Sequence, residues 1–272
     1  MRGGLRLRIA VCIKAVPDPN KTSDIRFDPE TRNVIRDNLE MVINPTDLHA
    51  IELAVSLKEQ YAAEVTVFSM GPPSTQKQLR EALSYGIDEA VLLSDRAFGG
   101  ADSLATSYTL AQSIRTCGDY DLVIVGNESS DGGTTNVPSQ LGEWLGIPHM
   151  MEVVKCDYSG GNRISVRKKM DDDFMDFDVQ LPAVIAVSKV INKVRYPNIK
   201  GIMTAKKKPL RILDKTSLDL LNPDYIGAAG SPTRNGELKE LSFSRECEEF
   251  TGTPEEIAKS ILAKIRPMVP SF

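Results

Sequence analysis

The chain has 272 residues, 41% of them hydrophobic and 26% charged, so it can bury the core of one large α/β domain and carry an extension. No apolar run approaches the roughly 20 residues of a membrane span and the first residues lack a signal-peptide core, which predicts a cytoplasmic protein with no membrane insertion. The net charge of −4 argues against general nucleic-acid binding despite Lys206-Lys207-Lys208, and Cys12, Cys117, Cys156 and Cys247 lack the paired spacing of zinc, iron–sulfur or dithiol centres.

Ile9 to Ile13 is apolar on both faces, the pattern of a strand in a parallel sheet covered by helices on each side. Asn44 then offers an N-cap and Pro45 a first helical position, with Leu48, Ile51 and Val55 on one helical face. Val65 to Phe68 is a second buried strand, followed by a helix carrying Leu79 and Leu83. Ala90 to Leu93 is a third, followed by a helix from about Ala101 on which Leu104, Tyr108 and Ala111 share a face. The fourth strand, Leu122 to Val125, stops at Gly126 and opens into Asn127-Glu128-Ser129-Ser130-Asp131-Gly132-Gly133-Thr134-Thr135-Asn136, after which a helix runs from Val137 to Leu145. Glycines there admit a ligand close to the backbone, hydroxyls can bond phosphate oxygens, and the helix N-terminus favours an anion. The loop reads as a phosphate cradle or, alternatively, as a solvent-exposed turn. It matches neither Gly-x-Gly-x-x-Gly nor the Gly-Lys-Ser/Thr ending of a P-loop.

Beyond residue 150 the texture changes. Arg163 to Arg167 and Phe174 to Val179 alternate around Asp171-Asp172-Asp173, which predicts a β-ribbon, and Ala183 to Val187 returns to the sheet. Periodicity then fades until Thr253-Pro254-Glu255-Glu256 announces a last helix through Ile265. The expected architecture is a doubly wound parallel sheet over residues 1–190 with a ribbon at about 150–180, and over 191–272 an extended C-terminal arm that packs on a partner subunit or, alternatively, lies as surface loop. His49 and His149 have no metal or triad partner in the pattern, the triple aspartate lacks the spacing of a calcium loop, and Trp144 reads as a core residue.

Five ordered motifs carry a family resemblance: Cys12-Ile13-Lys14-Ala15-Val16-Pro17-Asp18, Asn44-Pro45-Thr46-Asp47-Leu48-His49-Ala50-Ile51-Glu52, Met70-Gly71-Pro72-Pro73, the Asp131 loop, and Ala205-Lys206-Lys207-Lys208. Together they resemble the electron transfer flavoprotein β subunit across almost the whole chain. The resemblance implies a Rossmann-like domain that pairs with an α subunit carrying FAD and whose own pocket holds AMP or, in bifurcating members, a second FAD. It sets the adenine and ribose against Cys12, Lys14, Asn44 to Asp47 and Met70, and the phosphate against Gly126, Asn127, Asp131, Gly132, Gly133, Thr134, Thr135, Asn136 and Val137. The family's common Gly-Asp-Thr-Ala-Gln-Val stands here as Gly132-Gly133-Thr134-Thr135-Asn136-Val137, so an acid is missing and Asn replaces Gln.

Ser94 to Ser107, with Arg96, Gly99, Gly100, Ala101 and Thr106, resembles the segment lining the second FAD of the bifurcating branch, and Ile226 to Thr233 also resembles that branch. On this resemblance FAD is expected over AMP, with NADH as transient donor, electrons passing to the α-subunit FAD and an acyl-CoA or hydroxy-acid dehydrogenase, and a ferredoxin or flavodoxin as low-potential acceptor. The simpler alternative is structural AMP in a non-bifurcating shuttle serving acyl-CoA dehydrogenases. An adenine-nucleotide hydrolase or nucleotide sensor is the alternative of another class. Arg195-Tyr196-Pro197-Asn198-Ile199-Lys200-Gly201 matches the family's docking loop, with Ile199 at its aliphatic anchor.

Overall fold

The computed structural model describes residues 6–21, 26–27, 34–35, 39–218, 221–234 and 247–268. These fall into two compact units, one reaching Gly236 and a small one beyond it.

The larger unit is built on a nine-stranded sheet. Strands β1 (Arg8–Cys12), β6 (Glu64–Met70), β7 (Glu89–Leu93), β8 (Leu122–Gly126) and β12 (Ala183–Val187) are its parallel centre, in the spatial order β12-β8-β1-β6-β7. Alternation along each strand explains why both faces are covered. Ile9 and Val11 of β1, with Leu122 and Ile124 of β8, feed one core beside helices α1 (Pro45–Tyr61) and α2 (Gln76–Ser84). Ala10 and Cys12, with Val123 and Val125, feed the other beside α3 (Ser103–Cys117) and α4 (Val137–Leu145). A strand apolar at every position is what a sheet buried on both sides requires.

Chain order runs outward from β1 through β6 to β7, then returns to β8 on the opposite side. The sheet therefore reverses direction between β1 and β8, and in open α/β sheets ligands bind at the carboxyl ends of the strands at such a point.

Three more strands complete that edge. The long β9 (His149–Gly160) pairs parallel with β12, and β10 (Arg163–Lys169) and β11 (Phe174–Gln180) form the expected ribbon, with the triple aspartate in its exposed turn. Short pairs β2 (Ala15–Pro17) with β5 (Met41–Ile43) and β3 (Arg26–Phe27) with β4 (Val34–Ile35) lie outside the main sheet.

The chain stays with this unit after residue 190. Helix α5 (Ile199–Ala205) seats Gly201 against the Ser84 carbonyl, and β13 (Leu210–Leu213) joins the far edge parallel to β7. The expectation that regular structure ceases until the last helix is corrected by these two elements. In the small unit α6 (Pro254–Ile265) starts on a Thr253 and Glu256 capping box, as the sequence predicts. Residues 219–220, 235–246 and 269–272 of the expected arm lie outside the described residues. No helix among the described residues is long and apolar enough to cross a membrane.

Candidate nucleotide-binding site

The ends of β1 and β8 and the start of α1 meet around one buried carboxylate. Asp47, in the first turn of α1, accepts the Lys14 amide at 2.7 Å, and the Gly126 amide also points at it. Burial drives the Asp47 carboxyl up to about 7, against the pull of those amides, of Asn44 and of the Lys14 charge. Asn44 occupies the α1 N-cap without capping it. Its amide instead donates to the Glu128 carbonyl at 2.8 Å and to Thr46 Oγ1 at 2.7 Å, while its oxygen accepts the Ser130 amide at 3.0 Å. The Thr46 hydroxyl donates to the same Glu128 carbonyl. The phosphate-type loop is thus tied to α1 at its root.

Its outer part is exposed from Asp131 to Asn136 and shaped by backbone conformation. Gly133 at φ 58° and Thr135 at φ 55° are both left-handed, which is natural for glycine and strained for a β-branched residue. Lys14 reaches across from β1: its ammonium donates to Asp131 Oδ1 at 2.6 Å and to Ser129 Oγ at 3.4 Å. In this loop the Gly133 amide donates to the Ser129 carbonyl at 2.8 Å, and α4 begins at Asn136 with no side-chain cap. An uncapped helix start beside a lysine has the donors and field an anion needs.

Other expected site residues divide by what holds them. Cys12 is buried among core residues, and burial with Asp47 nearby pushes its thiol far above the ordinary range, so it is neither thiolate nor nucleophile. Met70 ends β6, partly buried. Asn127 is buried; its amide donates to Glu152 and its oxygen accepts the Glu152 amide at 3.2 Å, so it braces β8 against β9.

The second loop follows β7. Arg96 is exposed and begins a single 3₁₀ turn ending at Phe98, which Asp95 caps through the Ala97 amide at 2.9 Å. Helix α3 starts at Ser103, two residues later than expected. Its first turn is held within the chain: Asp102 Oδ1 accepts the Leu104 and Ala105 amides at 3.0 Å each, and the Asp102 carbonyl takes the Thr106 amide at 3.0 Å. Gly99 and Gly100 face another part of the chain, since the Ala228 amide donates to the Gly99 carbonyl at 2.9 Å and a Cβ at Gly100 would lie 3.0 Å from Ala228 Cβ. The two stretches singled out separately in the sequence, 94–107 and 226–233, are therefore in contact.

Ser129 and Ala228 were not named individually as site residues, although each lies in a quoted motif. Neither histidine meets a metal partner: His49 Nδ1 is 2.8 Å from Asn192 Oδ1, and no metal-holding cluster occurs among the described residues. Trp144 is partly buried against the second core, in edge contact with Tyr108 at 4.9 Å. Tyr196 and Ile199 are 95% and 78% exposed, which sets the expected docking anchor on the surface.

Comparison with known proteins identifies the family. Residues 31–218 match the electron transfer flavoprotein domain. The chain is 37% identical over 260 residues to the electron transfer flavoprotein subunit beta of Clostridium acetobutylicum, covering 96% of this chain and 98% of that one. It is 38% identical over 262 residues to the caffeyl-CoA reductase-Etf complex subunit CarD of Acetobacterium woodii, covering 96% and 98%. It is 36% identical over 234 residues to the acryloyl-CoA reductase electron transfer subunit gamma of Anaerotignum propionicum, covering 84% and 86%. With the switch-point sheet and five ordered motifs in place, the chain belongs to the electron transfer flavoprotein family, as a β-subunit-type electron transfer protein.

Proposed function

We propose that this chain is the β subunit of a heterodimeric electron transfer flavoprotein and holds FAD across the carboxyl ends of its strands. The observation that carries the reading is the contact between residues 96–102 and 226–233, both of which resemble the bifurcating branch. Lys14 and the uncapped start of α4 suit the phosphates; Asn44 to Asp47 and Met70 border the adenosine side.

Length supports a dinucleotide. The loops after β8 and β7 are three strand spacings apart, about 14 Å, so a ligand that uses both must be extended. The Asp102 carboxylate at the start of α3 disfavours a phosphate there, which leaves that end to an uncharged ring beside Arg96. Bound FAD would supply the redox chemistry, receiving electrons from NADH and parting them between the α-subunit FAD and a low-potential ferredoxin or flavodoxin. This chain's part is to bind, orient and tune the cofactor.

The partner is an α subunit, with a dehydrogenase or reductase acting on an acyl-CoA or hydroxy acid; the names of the CarD and acryloyl-CoA reductase relatives support the coenzyme A thioester class. Ile199, on the exposed start of α5, is the proposed docking anchor. The C-terminal arm packs on the α subunit in this reading.

A second reading has a structural AMP in a non-bifurcating shuttle. It is favoured by the part of the site built around Lys14, Asn44 and the loop after β8, which a mononucleotide would use alone. Purification of the heterodimer, denaturation and chromatography of the released nucleotides separates the two: two FAD per heterodimer supports the first, and one FAD with one AMP supports the second. Release of neither, with ATP turnover in their place, would overturn both.

A further inference from the structure

We propose that Asp102 is a positioning residue that makes the β7 loop select a dinucleotide over a mononucleotide, because its two carboxylate oxygens clasp α3 and the 226–233 segment at once. The inference rests on the flavin reading above.

The two oxygens do separate work. Oδ1 accepts the Leu104 and Ala105 amides and so fixes where α3 begins, while Oδ2 accepts the Thr233 amide at 3.0 Å and its hydroxyl at 2.6 Å. A third tie comes from the backbone: the Asp102 amide donates to Ser231 Oγ at 2.8 Å, and that hydroxyl donates onward to the Gly227 carbonyl at 2.7 Å. Burial acts to raise the Asp102 pKa, but bonds from Thr233 and the capped amides prevail and hold it below the ordinary carboxylate range. It stays an acceptor at neutral pH.

The clasped segment can lie so close only because it is shaped for it. A Cβ on Gly227, at φ 55°, would lie 2.0 Å from the Ala97 carbonyl oxygen, and one on Gly230 would lie 2.2 Å from the Tyr225 carbonyl carbon. Upstream, the Asn222 amide donates to Tyr108 Oη of α3 at 2.8 Å. Residues 222–233 thus bind α3 and the 97–102 loop at several points, and Asp102 is the side chain both share. Arg96, Ala97 and Gly99 border the proposed ring end of the pocket; Lys14 and residues 131–137 border the phosphate end, three strands away. A change in the clasp therefore acts on a ligand that spans the sheet and spares one confined to β1 and β8.

Asp102→Asn separates the two functions, since it keeps a cap acceptor toward α3 and puts an amide donor opposite the Thr233 donors. Thr233→Val removes the hydroxyl alone, and Thr233→Ser restores it. In the intact heterodimer stripped of the β-site nucleotide, titration with FAD and separately with AMP should show FAD binding weakened about tenfold by Asp102→Asn, the loss expected for one charge-assisted hydrogen-bond pair. Thr233→Val should do the same, Thr233→Ser should bind like wild type, and AMP binding should change less than twofold throughout. Equal losses for FAD and AMP, or no loss for either, would overturn the clasp. Wild type that takes up AMP and no FAD at this site would overturn the flavin reading, and the clasp with it. Should Asp102→Asn fail to fold, the Thr233 pair decides alone.

Discussion

A β-carbon on residue 126 would lie 2.2 Å from Asp47 Oδ1 and 2.8 Å from Thr46 Oγ1, so the end of β8 rests on the first turn of α1 without room for any side chain. The same carboxylate accepts the Lys14 amide at the end of β1. One buried acid thus joins the two strands between which the sheet reverses.

Gly126→Ala should therefore destabilise the protein by about 2–3 kcal/mol, the cost of forcing a methyl group into a packed site that cannot recede. Urea unfolding would show a lower midpoint with an unchanged slope. A midpoint equal to wild type would mean that α1 shifts freely, contrary to its burial.

Asp47 also gives stability a pH dependence of definite sign. Its carboxyl ionises at 3.8 in an ordinary setting and at about 7 when buried here, so between those values the folded protein holds a proton the unfolded chain has released. This contribution is complete below pH 3.8 and is lost as the pH rises through about 7, at up to about 1.4 kcal/mol per pH unit. Asp47→Asn should flatten that part of the curve, measured as urea midpoints at a series of pH values. A parallel offset at all pH values would assign the slope to other groups.

Lys14 and Asp131 make a different kind of pair. With side chains 43% and 16% exposed, the contact adds little to folding, within about 1 kcal/mol. Its effect falls on the ligand, since Asp131 lies in the loop that leads into the anion-favouring start of α4 and Lys14 offsets its charge. Lys14→Met should weaken binding of an adenine nucleotide about tenfold, the worth of one lost charge-assisted contact, with little change in the unfolding midpoint. Adding Asp131→Asn to that variant should recover part of the loss. If the double variant binds worse than Lys14→Met, Asp131 is itself a ligand contact.

Much of this arrangement is legible in the sequence because its signals are local. Thr253-Pro254-Glu255-Glu256 writes its own capping box, and short, mostly apolar runs mark β1, β6, β7 and β8. The elements missed are those whose reason lies far along the chain. Strand β13 is four residues long with two exposed, and it exists because β7, some 120 residues earlier, leaves an open edge. Strand β9 carries Glu152 at φ 55°, an irregularity that Asn127 stabilises and that no alternation pattern announces. The start of α3 falls later than the sequence suggests for a related reason: Gly100 and Asp102 are both acceptable N-caps locally, and Thr233 and Ser231 favour the second. Motif strings named Asn44, Asp47 and Asp131 as site residues, whereas their division between buried brace and exposed contact required the fold.

The proposed docking surface allows a test in which shape and anchor separate. Arg195 is gripped by Glu52, whose side chain is only 9% exposed, and by Glu59 at 2.6 Å, while Asn192 bonds His49; all three partners lie on α1. Next to this clamp Tyr196, Ile199 and Met203 stand in solvent, at 95%, 78% and 68% exposure. Arg195→Ala leaves the largely buried Glu52 without its cation and should lower stability by about 2 kcal/mol, together with weaker coupling to the partner dehydrogenase. Ile199→Ala removes an exposed side chain and should leave the unfolding midpoint in place, yet raise the KM for the dehydrogenase about tenfold or more if it is the anchor. Steady-state electron transfer with varied dehydrogenase concentration, alongside urea unfolding, reads both effects. An unchanged KM in Ile199→Ala would move the anchor to Tyr196 or Met203, and an unchanged midpoint in Arg195→Ala would show that α1 holds the loop through Asn192 alone.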